Sequence, residues 1–501
     1  MAVALRGIKA FPSHLIRSRF TVTCAVEKLP EFVVPARALQ EKTSEPLFDP
    51  EEQDRLFAAV PTATLVRSLA VFSALAVGPA VDLGIAVMRS PAVMGNRAAR
   101  EAVMETVRRT VYRQFCAGED ADEAGRTLRR LWGSGLRGIL DYGLEDAGDS
   151  AECDRNLAGF LRTVEMTPAL PPASVSFACV KITAICPIKL LERVSDLLRW
   201  EKKNPNLQLP WKQPSLPILA DSSLLYHTPA IPDPLSDAEE LDLGLSHQRL
   251  ATLTRRCADA DLPLLVDAEY TSVQPAIDYL IFSAALEFNR DERPILYGTI
   301  QAYLRDSKER LVQAVEAAEA AGISVGFKLV RGAYLSRETA LAASLGAASP
   351  IHGSVEETHA CYDDCAAFVL ERIERGSCSV VLATHNLHSG KAAAAKAAEL
   401  GIKKANGKLQ FAQLMGMADG LSLGLVKAGF QVSKYLPFGP VEQVMPYLIR
   451  RAEENRGFLA GSAIDREHLW RVEILINTEM KHCVRCRKEL KRRMKVAVLG
   501  K

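Results

Sequence analysis

Polar side chains that end otherwise apolar, β-branched runs are the residues of this 501-residue sequence best placed to do chemistry. Lys181 falls in SVSFACVKITAI (174–185), Asp267 and Glu269 in LPLLVDAEY (262–270), Gln301 in ILYGTIQAY (295–303), and Lys328 and Arg331 in ISVGFKLVRGAY (323–334). Thr384, His385 and Asn386 close SCSVVLATHN (377–386), and Tyr435 lies in FQVSKYLPF (430–438). Any single one could be a salt-bridged structural residue, because ion-pair networks also occupy strand ends. Together they exceed what a packed rim needs. His385 alone would be a hydrogen-bonded structural histidine; beside Thr384 and Asn386 it belongs to a compact polar turn that could hold a ribityl chain or a phosphate.

A second group sits in VEQVMPYLIRRAEENRG (441–457), a helical pattern in which Arg450 and Glu454 are four apart and meet on one face. Arg451 lies about 100° round the axis. Such a run is ordinarily a solvated face. Two adjacent guanidiniums also suit a carboxylate entering between them, since each offers a planar pair of donors, and the substrate would then be an acid.

These groups need a scaffold that gathers strand ends. Two more runs, KLQFAQLMGM (408–417) and the weaker GFLAGSA (457–463), bring the strand candidates to eight, the number that closes a barrel. Ala-rich helical stretches alternate with them, as in βαβ units. Ser354 and Glu357 are spaced as a capping box, and Gly322, Gly376 and Gly401 are placed as left-handed stops. The reading is α/β: a (β/α)8 barrel over 174–470, in which catalytic groups gather at the carboxyl ends of the strands. Residues 201–235 carry seven prolines and read as a surface insertion.

Apolar positions recur every three or four residues in AAREAVMETVRRTVYRQF, AGRTLRRLW and GLRGILDYGL, which predicts an α-helical arm over 45–170. Within it, residues 68–88 are apolar enough to span a bilayer, but Pro79 and Asp82 favour a helical hairpin packed on the protein or lying on a membrane surface. No acidic residue precedes Glu27, while Arg6, Lys9, Arg17 and Arg19 alternate with apolar residues; residues 1–40 read as a mitochondrial transit peptide.

Composition excludes some partners. With 62 Lys+Arg against 60 Asp+Glu there is no electrostatic reason to expect nucleic acid. Eleven cysteines without a framework of spacings predict reduced thiols. Cys483 and Cys486 form a lone CxxC in the basic tail 471–501, so no metal site is expected. No Walker loop or GxGxxG follows a strand.

The segments LVDAEY, LVRGAYLSRE, ATHN and YLPFGPVEQVMPYLIRRAEENRG, in this order, resemble the proline dehydrogenase family in its plant mitochondrial form, from about residue 45 onward. The resemblance implies a distorted flavin-binding barrel that oxidises L-proline to Δ1-pyrroline-5-carboxylate, the first step of proline catabolism. FAD would accept the hydride and a membrane quinone the electrons, with peripheral contact to the inner mitochondrial membrane on its matrix side. Carried over by motif, Arg450 and Arg451, assisted by Lys181, bind the proline carboxylate, and Glu454 ion-pairs with this cationic group. Tyr435 packs on the pyrrolidine ring, where a smaller residue admits 4-hydroxyproline, and Asp267 orients Tyr435. Gln301, Lys328, Val330, Gly332, Ala333, Thr384, His385 and Asn386 fall where the family contacts FAD, with Lys328 at a place where bacterial relatives carry arginine. The stretch 472–486 looks inserted relative to the plant family. Two other readings remain open to the residues themselves: a Schiff-base aldolase or lyase using Lys181 or Lys328, and a non-catalytic barrel scaffold.

Overall fold

The computed structural model describes residues 60–225, 230–404, 407–455, 489, 490 and 492. Eight short apolar stretches form strands β1 (Arg137–Tyr142), β2 (Val175–Val180), β3 (Leu264–Val266), β4 (Leu296–Gln301), β5 (Val325–Val330), β6 (Cys378–Ala383), β7 (Leu409–Leu414) and β8 (Val432–Phe438). Each pairs in parallel with the next, and β8 returns to β1, with Arg137 opposite Ser433 and Tyr142 opposite Phe438, so the sheet closes. Parallel neighbours need crossovers, and these are helices on the outside of the barrel. Their ends follow the predicted punctuation. Ser354 Oγ accepts the Glu357 N–H at 3.1 Å, while the Glu357 carboxylate reaches back to the Gly353 N–H at 2.8 Å. Gly322 and Gly376 end their helices at φ +67° and +97°, and Gly401 follows its helix at φ +67°.

The barrel begins earlier than the sequence reading placed it. Residues 137–142, assigned to the helical arm, are β1, and the helix Ser150–Glu165 is its crossover to β2. The run at 174–185 is therefore the second strand, and β8 completes the ring without 457–463, which lies outside the described residues, as do the proposed transit segment 1–40 and the CxxC pair. In RGILDY only a two-residue apolar doublet separates glycine from aspartate, too short to distinguish periods of 2 and 3.6. Gly138 lets the strand pack closely: a Cβ there would lie 2.7 Å from both Leu128 and Leu436.

The Pro-rich insertion runs irregularly between helix Ile188–Lys203 and helix Asp237–Asp259, which opens on a complete Ser236–Glu239 capping box. The helical arm proper comprises Thr62–Leu75, Gly78–Arg89, Arg97–Val107 and Ala121–Trp132 with shorter turns between. The apolar stretch 68–88 is neither a single span nor a tight hairpin: its two helices meet at 88°, with Pro79 in the first turn of the second, and no single described helix is long and apolar enough to cross a membrane. Phe72, Leu75, Val81, Met104 and Phe115 of the arm share one buried cluster with Val444, Tyr447, Leu448 and Ala452 of the helix after β8. The arm is thus a wall against that helix, and the exposed pair Arg89–Glu453 adds little to it.

Candidate active site

Side chains on a strand alternate between faces, so inner positions recur every second residue. Ile139, Phe177, Cys179, Leu265 and Tyr435 pack together inside the barrel. Counting on by two puts Asp141, Lys181 and Asp267 on the same inner face at the carboxyl ends of β1, β2 and β3. Lys328 follows two residues after Gly326, where an added Cβ would lie 2.4 Å from the inward ring of Tyr297.

These residues form one buried ionic knot centred on Asp267. Tyr435 donates its hydroxyl to Asp267 Oδ2 at 2.6 Å, Lys328 Nζ donates to Oδ1, and the Cys179 thiol reaches the same Oδ1 at 3.2 Å. Lys181 Nζ stands 3.3 Å from Asp141 Oδ2, 3.6 Å from Asp267 Oδ2 and 3.5 Å from the Tyr435 hydroxyl. Burial alone would raise the Asp267 pKa, but Lys328 and Lys181 outweigh it and hold the carboxyl well below its usual range. Burial likewise opposes charge on Lys181, and Asp141 with Asp267 overcomes it, raising that pKa. Asp141 goes the other way: burial pushes it up more than Lys181 pulls it down. Glu269, at the end of the LVDAEY run, accepts from the Thr183 hydroxyl at 2.7 Å and the Thr183 N–H at 3.2 Å, yet burial lifts its pKa to about 8.

The helix Met445–Glu454 brings the guanidiniums. Their pairing differs from the expectation. Arg450 is clamped by both oxygens of Glu145, at 2.7 and 2.8 Å, in a bidentate fork. Glu454 bonds Arg451 instead, at 2.5 Å. Sequence favours Arg450–Glu454 at i,i+4, but a nearly buried carboxylate from the β1 loop takes Arg450, and Glu454 turns to its i,i+3 neighbour. Burial would raise the Glu145 pKa, and Arg450 reverses this, keeping it ionised; Lys181 contributes in the same direction, so the helix and the inner knot share one field. The Arg450 guanidinium also lies 5.4 Å from the centre of the Tyr334 ring, and Arg451 lies 5.2 Å from that of Tyr447. Two buried polar atoms here, Arg451 Nε and the Tyr447 hydroxyl, have no hydrogen-bond partner among the described residues.

The rest of the mouth is open. Strands β5, β6 and β7 end on half-exposed Val330, Ala383 and Leu414, whereas β2, β3, β4 and β8 end buried. Gly332 and Ala333 continue the half-exposed edge. Gly332 sits at φ +139°, where a Cβ would lie 2.4 Å from the Tyr303 ring, so only glycine lets that ring pack on the backbone here. Of the ATHN turn, Asn386 caps helix Leu387–Glu399 by accepting from His388 N at 2.9 Å and Ser389 N at 3.1 Å. His385 Nε2 accepts the Leu414 N–H at 3.0 Å, and its pKa is lowered to about 3 by burial and then by Lys434 and Arg451. Gln301 donates to the Glu269 carbonyl at 2.8 Å. This side offers a half-exposed rim of three strand ends beside hydrogen-bonding side chains already held in place, the kind of edge that can take a ligand with polar groups.

The structure therefore gathers Lys181, Asp267, Lys328 and Tyr435 into one knot, Arg450, Arg451 and Glu454 beside it, and Gln301, Val330, Gly332, Ala333, Thr384, His385 and Asn386 around the mouth. Sequence reasoning missed Asp141, Glu145, Tyr334 and Tyr447. Asp141 could have been found by its place two residues after inward Ile139; Glu145, with its partner 305 residues away, carried no local signal.

A family model described as "Proline dehydrogenase" matches residues 124–461. The chain is 53% identical over 429 residues to "Proline dehydrogenase 1, mitochondrial" of Arabidopsis thaliana, covering 85% of this chain and 86% of that one. It is 50% identical over 449 residues to "Proline dehydrogenase 2, mitochondrial" of the same plant, with 89% and 90% covered. "Hydroxyproline dehydrogenase" of Mus musculus is 34% identical over 429 residues, with 82% and 91% covered. Among solved structures, proline utilization A from Bdellovibrio bacteriovorus inactivated by N-propargylglycine superposes with a TM-score of 0.58 at 21% identity. That match covers 85% of this chain but only 40% of the bacterial one, and it speaks to the fold alone.

Proposed function

The chain belongs to the proline dehydrogenase family, and from that premise we propose how its barrel mouth carries out the oxidation. It is an oxidoreductase of proline catabolism. In our reading, Arg450 and Arg451 receive the carboxylate of L-proline, with Glu145 and Glu454 fixing their forks. Charge-assisted, planar donors of this kind set both position and orientation. Tyr435, its hydroxyl tied to Asp267, presents the aromatic wall against which the ring rests. Gln301, Lys328, Val330, Gly332, Ala333, Thr384, His385 and Asn386, around the ends of β5, β6 and β7, would hold FAD. When bound, the flavin supplies the two-electron acceptor for hydride leaving C5, as the ring nitrogen and C5 become doubly bonded.

The nitrogen must be unprotonated for this, because taking hydride from an ammonium would build a second positive charge. The residues favour that state. Lys181, Lys328, Arg450 and Arg451 face Asp141, Asp267, Glu145 and Glu454, and burial pushes Asp141 toward its neutral form. The two guanidiniums that would meet the carboxylate disfavour a nearby ammonium, which selects the anionic over the zwitterionic form of the amino acid. The same geometry speaks against the lyase: Lys181 is held as an ammonium between two carboxylates, the opposite of a desolvated nucleophilic amine.

The observation that carries this reading is the juxtaposition of a cationic pair, Arg450 and Arg451, with a half-exposed edge of strand ends at one mouth. A mitochondrial location is in keeping with the relatives' names; in our reading the chain works on the matrix side of the inner membrane, with a quinone as final acceptor and peripheral contact through the arm. Anaerobic titration of the purified protein with L-proline tests it: stoichiometric bleaching of a bound flavin is expected, and a protein that folds but takes up no flavin, or whose flavin ignores proline, overturns it.

A further inference from the structure

Of the eight described cysteines seven are buried, and Cys361 is half-buried. It stands on helix Val355–Arg375 one turn before Cys365, so the two thiols share a face. Against them lies Ser307, the first residue of helix Ser307–Ala321, whose Oγ is 3.3 Å from the Cys361 sulfur. The Ser307 hydroxyl also donates to the Leu304 carbonyl at 2.7 Å, and a hydroxyl has one hydrogen to give. That hydrogen can turn to the sulfur without stranding the carbonyl, which keeps the Ser307 N–H at 3.2 Å.

A base completes the group. The His352 imidazole reaches Cys361, and its backbone N–H is tied to the Tyr303 carbonyl at 3.0 Å. Its Nδ1 stands 3.7 Å from Glu357 Oε2, and its buried Nε2 has no other partner among the described residues. A nucleophile, a base beside it and a carboxylate that orients the base are the parts that turn a thiol into a thiolate. The electrostatics agree: hydrogen bonds from Cys365, Ser307 and His352 lower the Cys361 pKa against the opposing effect of burial. Burial instead raises the pKa of Cys116, Cys153, Cys179, Cys186, Cys257 and Cys378.

We propose that Cys361 is a modification site, a thiol that exchanges with a low-molecular-weight disulfide and carries the resulting mixed disulfide. The thiol proton passes to His352 and the sulfur attacks one sulfur of the disulfide. The S–S bond breaks, and the departing thiolate takes the proton back from His352. Cys361 is thereby oxidised, and the other half of the disulfide leaves as a reduced thiol. The exchange stops there, because an intact helix holds Cβ atoms four residues apart at about 5–6 Å, wider than the roughly 3.5–4.5 Å of a disulfide. Cys365 therefore serves as a hydrogen-bond donor to the reacting sulfur. None of these residues belongs to the carboxylate clamp or to the groups assigned to the flavin.

The test is a time course of the full chain with glutathione disulfide, read by mass spectrometry of its peptides. Cys361 should gain a glutathionyl group at least about tenfold faster than any of the other seven described cysteines, the scale expected of an exposed thiolate beside buried thiols, and dithiothreitol should remove it. In urea the advantage should vanish, since the unfolded chain has lost the cluster. Another of the seven reacting as fast, or Cys361 left unmodified, overturns the proposal, and so does a Cys361–Cys365 disulfide in place of the adduct. His352→Gln should slow the Cys361 reaction at least about threefold while the buried cysteines stay protected, which reports an intact fold. An unchanged rate refutes the assisted exchange, and should that variant fail to fold, the wild-type time course decides alone.

Discussion

Glu269 is expected to be a neutral acid at physiological pH, and its replacement by glutamine should expose that through the pH dependence of stability. The side chain is 1% exposed and is bonded only by Thr183, so burial dominates and raises its pKa from 4.5 to about 8. The sign follows from proton linkage. Below about pH 4.5 the group is protonated in both folded and unfolded chains; between 4.5 and about 8 the folded chain holds a proton that the unfolded chain has released. The contribution of Glu269 is therefore fully present in acid and is lost as pH rises through 8. Each pH unit in that window costs about 1.4 kcal/mol, up to about 5 kcal/mol in all.

Glutamine keeps the shape and a carbonyl for Thr183 but cannot ionise. Urea unfolding of wild type and Glu269→Gln at intervals from pH 5 to pH 9 isolates the effect, because every other titrating group cancels in the difference. Wild type minus variant should fall steadily up to about pH 8 and flatten above it. A difference that stays level across the whole range would mean that Glu269 is ionised in the folded chain, and the argument that burial outweighs the Thr183 bonds would be wrong.

Three further substitutions probe the clamp. Glu145→Gln removes the charge opposite nearly buried Arg450 and should lower stability by roughly 2–4 kcal/mol while raising the KM for proline, measured by steady-state kinetics; an unchanged KM would detach Glu145 from substrate binding. Arg451→Met should raise the KM roughly 10- to 100-fold with flavin content unaltered, by loss of a charge-assisted carboxylate bond, and an unaltered KM would refute its role. Tyr435→Ser removes the ring and one donor to Asp267, so the ratio of kcat/KM for proline over 4-hydroxyproline should fall, and a constant ratio would show that Tyr435 does not line the ring pocket.

What could be read from sequence follows from how far apart the interacting residues lie. Strand ends are local features: an apolar alternation that stops at a charge marks itself, and Lys181, Asp267, Lys328 and Tyr435 were all visible that way. The choice among partners is not local. Arg450 has Glu454 one turn away, yet binds Glu145 from the loop after β1, because the closed barrel brings β1 beside β8. The same closure explains why β1 was hidden: six residues with a central Ile139–Leu140 doublet become a strand only when β2 and β8 supply edges on both sides. Asn386 and His385 were legible as a polar turn, but that one caps a helix and the other accepts a β7 amide emerges only from the packing.

The mouth is divided, and the division has a physical basis in the arm. On the side of β1, β2, β3 and β8, cations and carboxylates are enclosed by a continuous apolar shell that runs from Ile139 and Phe177 inside the barrel to Tyr447 and Leu448 on the last described long helix, and on to Phe72 and Phe115 of the arm. Excluding water there strengthens each ion pair and makes an unpaired charge more costly, so the arrangement holds only if every charge has a partner. Among the described residues, Asp141 Oδ1, Arg451 Nε and the Tyr447 hydroxyl are buried here without a hydrogen-bond partner, and in the proposed mechanism Arg451 Nε is free to take up the incoming carboxylate. On the side of β5, β6 and β7 the strands end half-exposed, and the arm reaches this side at Gln114, whose Nε2 donates to the Gly416 carbonyl at 2.8 Å. A small charged substrate and a large flat cofactor need different environments, a tight dry clamp and an accessible edge, and the N-terminal helices contribute to the first by packing their apolar face on the helix that carries Arg450 and Arg451.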